Sequence, residues 1–156
     1  MRDPLLAIAV FLLIQAQALA QAPALRQADF ALGGITQGMD SAAVRRSLGR
    51  PDSIVVDDNP FDTGAKLVTW RYRHMTVEFF STDQVVGVST TDRAVASPRG
   101  LRVGDSVTRL KQLYGEPTGS YENVMDYEDP HGALHVLRVT IHNERVVEIY
   151  LGSILD

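Results

Sequence analysis

The pattern of apolar and polar side chains changes period along the chain, and each change predicts a different element. In the first half, Val68, Trp70 and Tyr72 alternate with Thr69, Arg71 and Arg73, and Val77 and Phe79 alternate with Thr76, Glu78 and Phe80. A period of two puts each set on its own face of a strand. A further strand is expected over residues 85–90, after a turn at Ser81, Thr82 and Asp83. In the second half the same reasoning predicts strands over residues 123–127, 134–142 and 145–151, with a turn at Asn143 and Glu144. Helical spacing takes over at Val44, Ser47 and Leu48 and again at Leu110, Leu113 and Tyr114, each set forming one stripe at i, i+3 and i+4. Asp40 and Ser106 stand where an N-cap accepts from an orphan backbone N–H, Gly49 and Gly115 where a C-terminal cap is wanted, and Pro51 and Pro117 where the helix must stop. Each helix spans about nine residues, too short to persist alone in water, so it has to pack on a sheet.

These signals recur in register. Ile35-Thr36-Gln37-Gly38 aligns with Leu101-Arg102-Val103-Gly104, and Leu48-Gly49-Arg50-Pro51 with Tyr114-Gly115-Glu116-Pro117. The expected fold class is therefore α+β, as two tandem repeats of a short helix unit packed on a small antiparallel β-sheet. The boundaries read as a leader over residues 1–20, an arm over 21–33, a first repeat over 34–92, a linker over 93–99 and a second repeat over 100–156. One small repeat would bury a poor fraction of its surface, which favours packing of the two side by side.

Gly38-Met39-Asp40, Val44, Leu48-Gly49-x-Pro51, Trp70-x-Tyr72, Val77-x-Phe79 and Val85-Val86-Gly87-Val88 together resemble the pattern of SmpA/OmlA (BamE-like) domains. The tandem arrangement is similar to the β-lactamase inhibitory protein fold. The resemblance implies a helix-plus-antiparallel-sheet unit that acts by binding another protein, and it rests on caps, turns and core positions. The chain departs from both relatives in having no cysteine, which removes the acylated residue of the first and the disulfides of the second.

Arg2 precedes an apolar run over residues 5–14, followed by a small-residue stretch ending Ala18-Leu19-Ala20. Ten apolar residues make about 15 Å of helix, half a bilayer core, so the segment reads as a secretory signal peptide cleaved after Ala20 and not as a permanent anchor. The product is expected in the periplasm or outside the cell, with no stable membrane anchor after cleavage. Fifteen Lys and Arg stand against 19 Asp and Glu, a net charge of −4, with no basic stripe. That balance argues against nucleic acid as a partner. The missing cysteines also exclude thiolate zinc sites, Fe–S clusters and a cysteine nucleophile.

The search for chemistry is negative, and the chain is expected to be no enzyme, with no cofactor and no metal. It holds no G-x-S-x-G elbow, no phosphate-binding G-x-x-x-x-G-K and no H-E-x-x-H. His131 and His135 have a helical ligand spacing, but Pro130 and Gly132 make the segment a turn entering a strand. The stretch over residues 57–64 has the composition of a calcium loop and the wrong spacing, with Phe61 at a ligand position. Glu122, Asp126, Glu128 and Asp129 read as a solvated acidic edge lacking a partner nucleophile.

A surface remains. If the apolar set faces the helices, Arg71, Arg73, Glu78 and Phe80 face outward in the first half, and Val136, Arg138, Thr140, His142, Glu148 and Tyr150 in the second. Arginines and separated aromatics on an open sheet face have the composition of an interface. The expected function is an exported, non-catalytic protein-binding or envelope-scaffold module. Its contact residues would be Arg71, Arg73, Phe80, Arg138 and Tyr150, on one saddle formed by both sheets gripping a protein or peptide. Two alternatives stand beside it: an inhibitor of an extracellular or periplasmic enzyme, using a loop over residues 57–64 or 128–132, and a small-ligand-binding domain.

Overall fold

A computed structural model describes residues 24–58, 64–80, 83–131 and 135–153. A 3-10 turn, Gln27–Asp29, leads into helix α1 (Ser41–Leu48) and four strands: β1 (Ser53–Asp58), β2 (Lys66–Arg71), β3 (Thr76–Phe80) and β4 (Val85–Thr90). Helix α2 (Val107–Tyr114) then precedes β5 (Gly119–Tyr121), β6 (Val124–Glu128), β7 (His135–His142) and β8 (Arg145–Ser153). All eight strands form one antiparallel sheet in the order β1-β2-β3-β4-β8-β7-β6-β5.

This overturns the expected fold class. The chain is not two tandem helix units, each on a small sheet of its own; it is a strand-rich fold with two short helices on one continuous sheet. The cause is the pairing of β4 with β8, Gly87 opposite Gly152 and Val88 opposite Leu151, which fuses two meanders edge to edge. Two strands also went unpredicted. In β1 the apolar residues Ile54, Val55 and Val56 are consecutive and show no alternation, and β5 is three residues long. The expected leader lies outside the described residues, as do residues 59–63 of the first proposed loop and Gly132 of the second.

The helices are built as their caps dictate. Asp40 Oδ1 accepts from Ala43 N–H at 2.6 Å and Ser106 Oγ from Arg109 N–H at 3.1 Å. Gly49 and Gly115 end them at φ 80° and 82°, a left-handed backbone for which glycine carries no Cβ penalty. Both helices pack on one side of the sheet, where Val44, Leu110 and Tyr114 meet Trp70, Val77, Phe79, Val88, Leu137, Val139, Ile149 and Leu151 in a single buried cluster. Full burial of one such side chain contributes about 1.5–3 kcal/mol.

The segments read as arm and linker belong to that core. Phe30 and Leu32 from the arm and Val95 from the linker are buried in it. The connection is tied down: Tyr114 Oη donates to Ser97 Oγ at 2.8 Å, Ser97 Oγ accepts from Leu101 N–H at 3.1 Å, and Arg99 reaches Asp29 at 2.5 Å and the Leu113 carbonyl at 2.7 Å.

Candidate functional site: the open face of the sheet

None of the apolar side chains on the other face, Val55, Leu67, Phe80, Val136, Val124 and Tyr121, joins the helix-side cluster. Across that face the register aligns Arg71, Thr76, Ser89, Tyr150, Arg138 and Asp126, one residue from each of six neighbouring strands. Arg71, Arg138 and Tyr150 thus share one row. Phe80 lies on the same face opposite Leu67, in a different row. Arg73 does not belong to the face: β2 ends at Arg71, and residues 72–75 form the turn into β3, closed by Tyr72 N–H to the Met75 carbonyl at 2.9 Å. The alternation that placed Arg73 beside Arg71 stops where the strand stops. Val136, expected outward, is on the open face yet buried.

At the seam of the sheet, glycine faces glycine. Gly87 and Gly152 are cross-strand partners on β4 and β8, and the hydroxyl end of the Tyr150 ring occupies the space a Cβ on Gly152 would need. A Cβ on Gly87 would sit 2.5 Å from Glu78 Oε2 and 3.1 Å from the Tyr150 hydroxyl. A carboxyl and a phenol therefore converge over the glycine pair. Burial pushes the Glu78 carboxyl above its ordinary range, and burial together with the Glu78 charge pushes the Tyr150 phenol up.

The two ends of the row differ. Arg138 donates to both oxygens of Asp126, at 2.8 and 2.7 Å, a bidentate pair across β6 and β7. Arg71 faces Thr76 and makes no hydrogen bond or ion pair among the described residues. Asp126, read as part of a solvated acidic edge, is instead committed to Arg138.

Beside the row, the turn carrying Arg73 borders a cleft of about 550 Å³ that also includes Thr76, Ser89, His74, Asp92 and Arg93. His74 Nδ1 lies 2.7 Å from Asp92 Oδ2, and the other Asp92 oxygen accepts from Ala94 N–H at 2.7 Å. The Ala94 amide first and His74 second hold the Asp92 carboxyl below the usual carboxylate range. Sequence reasoning missed this pair because His74 and Asp92 are far apart in the chain and follow no motif. His131 and His135 both approach Asp129, through a backbone amide at 2.9 Å and a ring nitrogen at 3.8 Å. Among the described residues no group of three or more His, Asp or Glu is placed to hold a metal ion.

No family model matches the chain, and no curated protein matches it. Among solved structures it is similar to an extracellular protein containing an SCP domain from Bacillus anthracis str. Ames, with a TM-score of 0.43 and 10% identity. That match covers 74% of this chain and 43% of the other, so the chain spans less than half of the protein it resembles. Among the described residues no helix is long and apolar enough to cross a membrane.

Proposed function

We infer that this chain is an exported, non-catalytic module that binds a protein partner with the open face of its sheet. The observation that carries the reading is the cross-strand row with Arg71, unpaired among the described residues, at one end and an aromatic at the middle, on a face whose apolar residues take no part in the core. Arg and Tyr in such a setting are the residue types on which interfaces concentrate their energy. Export rests on the apolar run after Arg2 and the Ala18-Leu19-Ala20 stretch. A bound partner would extend over Arg71 and Tyr150, while Arg138, already paired, serves as a rigid flank.

The test is affinity capture from envelope and culture-medium fractions, followed by binding of each recovered protein in purified form. Arg71→Glu and Gly152→Ala are the controls, the second displacing the Tyr150 ring without removing it. A genuine partner loses at least about tenfold in affinity to both variants. Partners that bind both variants unchanged would sink the assignment of this face. An enzyme among the partners, with its activity lost on binding, would place the chain as an inhibitor; a structural envelope protein would place it as a scaffold.

A further inference from the structure

The two edges of the sheet are unequal. The far edge, β5, is three residues long, and Ser120 is its helix-side residue, opposite Met125. The near edge, β1, is six residues long and pairs with β2 alone. On its helix side Ile54 and Val56 are 51% and 58% exposed, two of the four large apolar residues exposed among those described. Helix α1 leaves them uncovered, and a groove of about 500 Å³ lined by Arg45, Arg50, Asp52 and Ile54 opens beside them. A long edge with exposed apolar side chains is a template for another strand.

We propose that β1 pairs antiparallel with β1 of a second copy of this chain, extending the two sheets into one of sixteen strands around a two-fold axis at Ile54. This surface is separate from the open face and does not depend on its function. The charges along the edge select both the partner and the register. A two-fold axis normal to the sheet keeps helix-side residues on one side, so it must pass through a residue and not between two. An axis at Val55 sets Asp52 opposite Asp58 of the other copy, a like-charge pair repeated twice. An axis at Val56 sets Ile54 opposite Asp58. An axis at Ile54 sets Ile54 opposite itself, Asp52 opposite Val56 and, just before the start of β1, Arg50 opposite Asp58, an opposite-charge pair repeated twice that the other two axes lack among the described residues. Arg50 makes no ion pair among the described residues, and Asp58 holds Lys66 from its own β2, so the second copy would complete an Arg50–Asp58–Lys66 chain at each end. The Ile54 pair would sit over the mouths of both grooves.

The absence of native cysteine makes the register directly readable. Single variants Ile54→Cys, Val55→Cys and Val56→Cys are oxidised mildly at equal concentration. A residue on the two-fold axis faces its own copy at a separation that a disulfide spans. The expected result is a covalent dimer from Ile54→Cys and monomer from the other two. Sedimentation of the unmodified chain should show a reversible dimer with Kd between about 1 µM and 1 mM, as suits a small interface. Val56→Glu, which sets a carboxylate opposite Asp52 of the other copy, should weaken it by at least about tenfold, with the circular dichroism spectrum unchanged. A chain that stays monomeric throughout that range overturns the proposal, and so does preferential cross-linking of Val55→Cys. Loss of a captured foreign partner in Val56→Glu without any dimer would give the edge to that partner instead, and would also overturn it.

Discussion

In both halves of the molecule a short helix is tied to the last strand of its meander by the same two backbone bonds. Gly38 N–H donates to the Val85 carbonyl at 2.8 Å and Val85 N–H to the Met39 carbonyl at 2.9 Å; Gly104 N–H donates to the Val146 carbonyl at 2.7 Å and Val146 N–H to the Asp105 carbonyl at 2.9 Å. Around that shared mount the halves diverge. The C-terminal half pairs its cross-strand charges, shortens its edge to β5 and clamps its helix with Arg99 and Ser97. The N-terminal half pairs Asp58 with Lys66 across β1 and β2, exposes Ile54 and Val56 and, among the described residues, leaves Arg71 without a hydrogen bond or ion pair and holds α1 with nothing comparable to that clamp, Arg45 lying 4.9 Å over the Trp70 ring. Scaffold and interface are thus separated within one sheet by the clamp on α2 and by Arg71, and not by apolar exposure, since Tyr121 and Val147 are exposed in the C-terminal half as Ile54 and Val56 are in the N-terminal half.

The largest expected effect breaks that division at the clamp. Arg99 and Asp29 are almost fully buried, at 9% and 3% side-chain exposure. Removing one member leaves the other charge uncompensated, so Arg99→Ala should cost about 3–5 kcal/mol in urea unfolding. Arg45→Ala, losing an exposed cation–π contact, should cost about 0.5–1 kcal/mol. Similar costs for the two would mean that the halves are not differently anchored. The pair also has a pH signature. Hydrogen bonding to Arg99 leads the effects that hold the Asp29 carboxyl below its ordinary 3.8. A depressed carboxylate adds stability above its unfolded value, and that contribution is lost as pH falls below 3.8 through the folded value.

A smaller comparison concerns the caps. Asp40→Ala and Ser106→Ala each remove one hydrogen bond to a helix N-terminus and should cost about 1 kcal/mol. Asp40 also brings a negative charge to the positive end of α1, so its loss should exceed that of Ser106 by a few tenths of a kcal/mol, the difference shrinking in high salt.

Cap chemistry shows what the sequence made legible. Asp40, Ser106, Gly49 and Gly115 were readable because each meets a local backbone demand: an orphan N–H or a left-handed φ. Val77, Phe79, Val139 and Ile149 were readable because alternation is local too. The pairing of β4 with β8 is not local. It depends on Gly87 meeting Gly152 across the seam, and neither glycine announces its partner. Arg73 was misplaced because alternation carries no marker for the end of a strand. At the candidate site, the outward direction of Arg71 and Tyr150 could be read from the period, whereas the capture of Arg138 by Asp126 required the register of β6 on β7.

The cross-strand row allows an exchange between halves. Asp126→Ala breaks an exposed bidentate pair and should cost about 0.5–1 kcal/mol, while Arg71→Ala should leave stability within about 0.5 kcal/mol of wild type. The double variant Arg71→Asp, Thr76→Arg writes the C-terminal arrangement into the N-terminal half. Thermal unfolding should show stability held or slightly raised while partner binding is lost. Retained binding would show that the free cation at Arg71 is not what the partner reads.

The smallest effect tests the seam where the halves meet. Glu78 is half-buried and its carboxyl is raised by desolvation. Its folded state therefore holds a proton more tightly than its unfolded state, so ionisation as pH rises weakens the fold. Below its ordinary value of 4.5 the carboxyl is largely protonated in both states and this cost vanishes. Glu78→Gln keeps the shape and removes the titration. The variant should melt higher than wild type at pH 7, by less than about 4 °C, and the difference should close as pH is lowered. The sign discriminates between two accounts of the seam. If Arg71 bridged to Glu78 in solution, the carboxylate would be stabilised, Glu78→Gln would melt lower at pH 7, and the unpaired cation that distinguishes the N-terminal half would already be neutralised from within the chain.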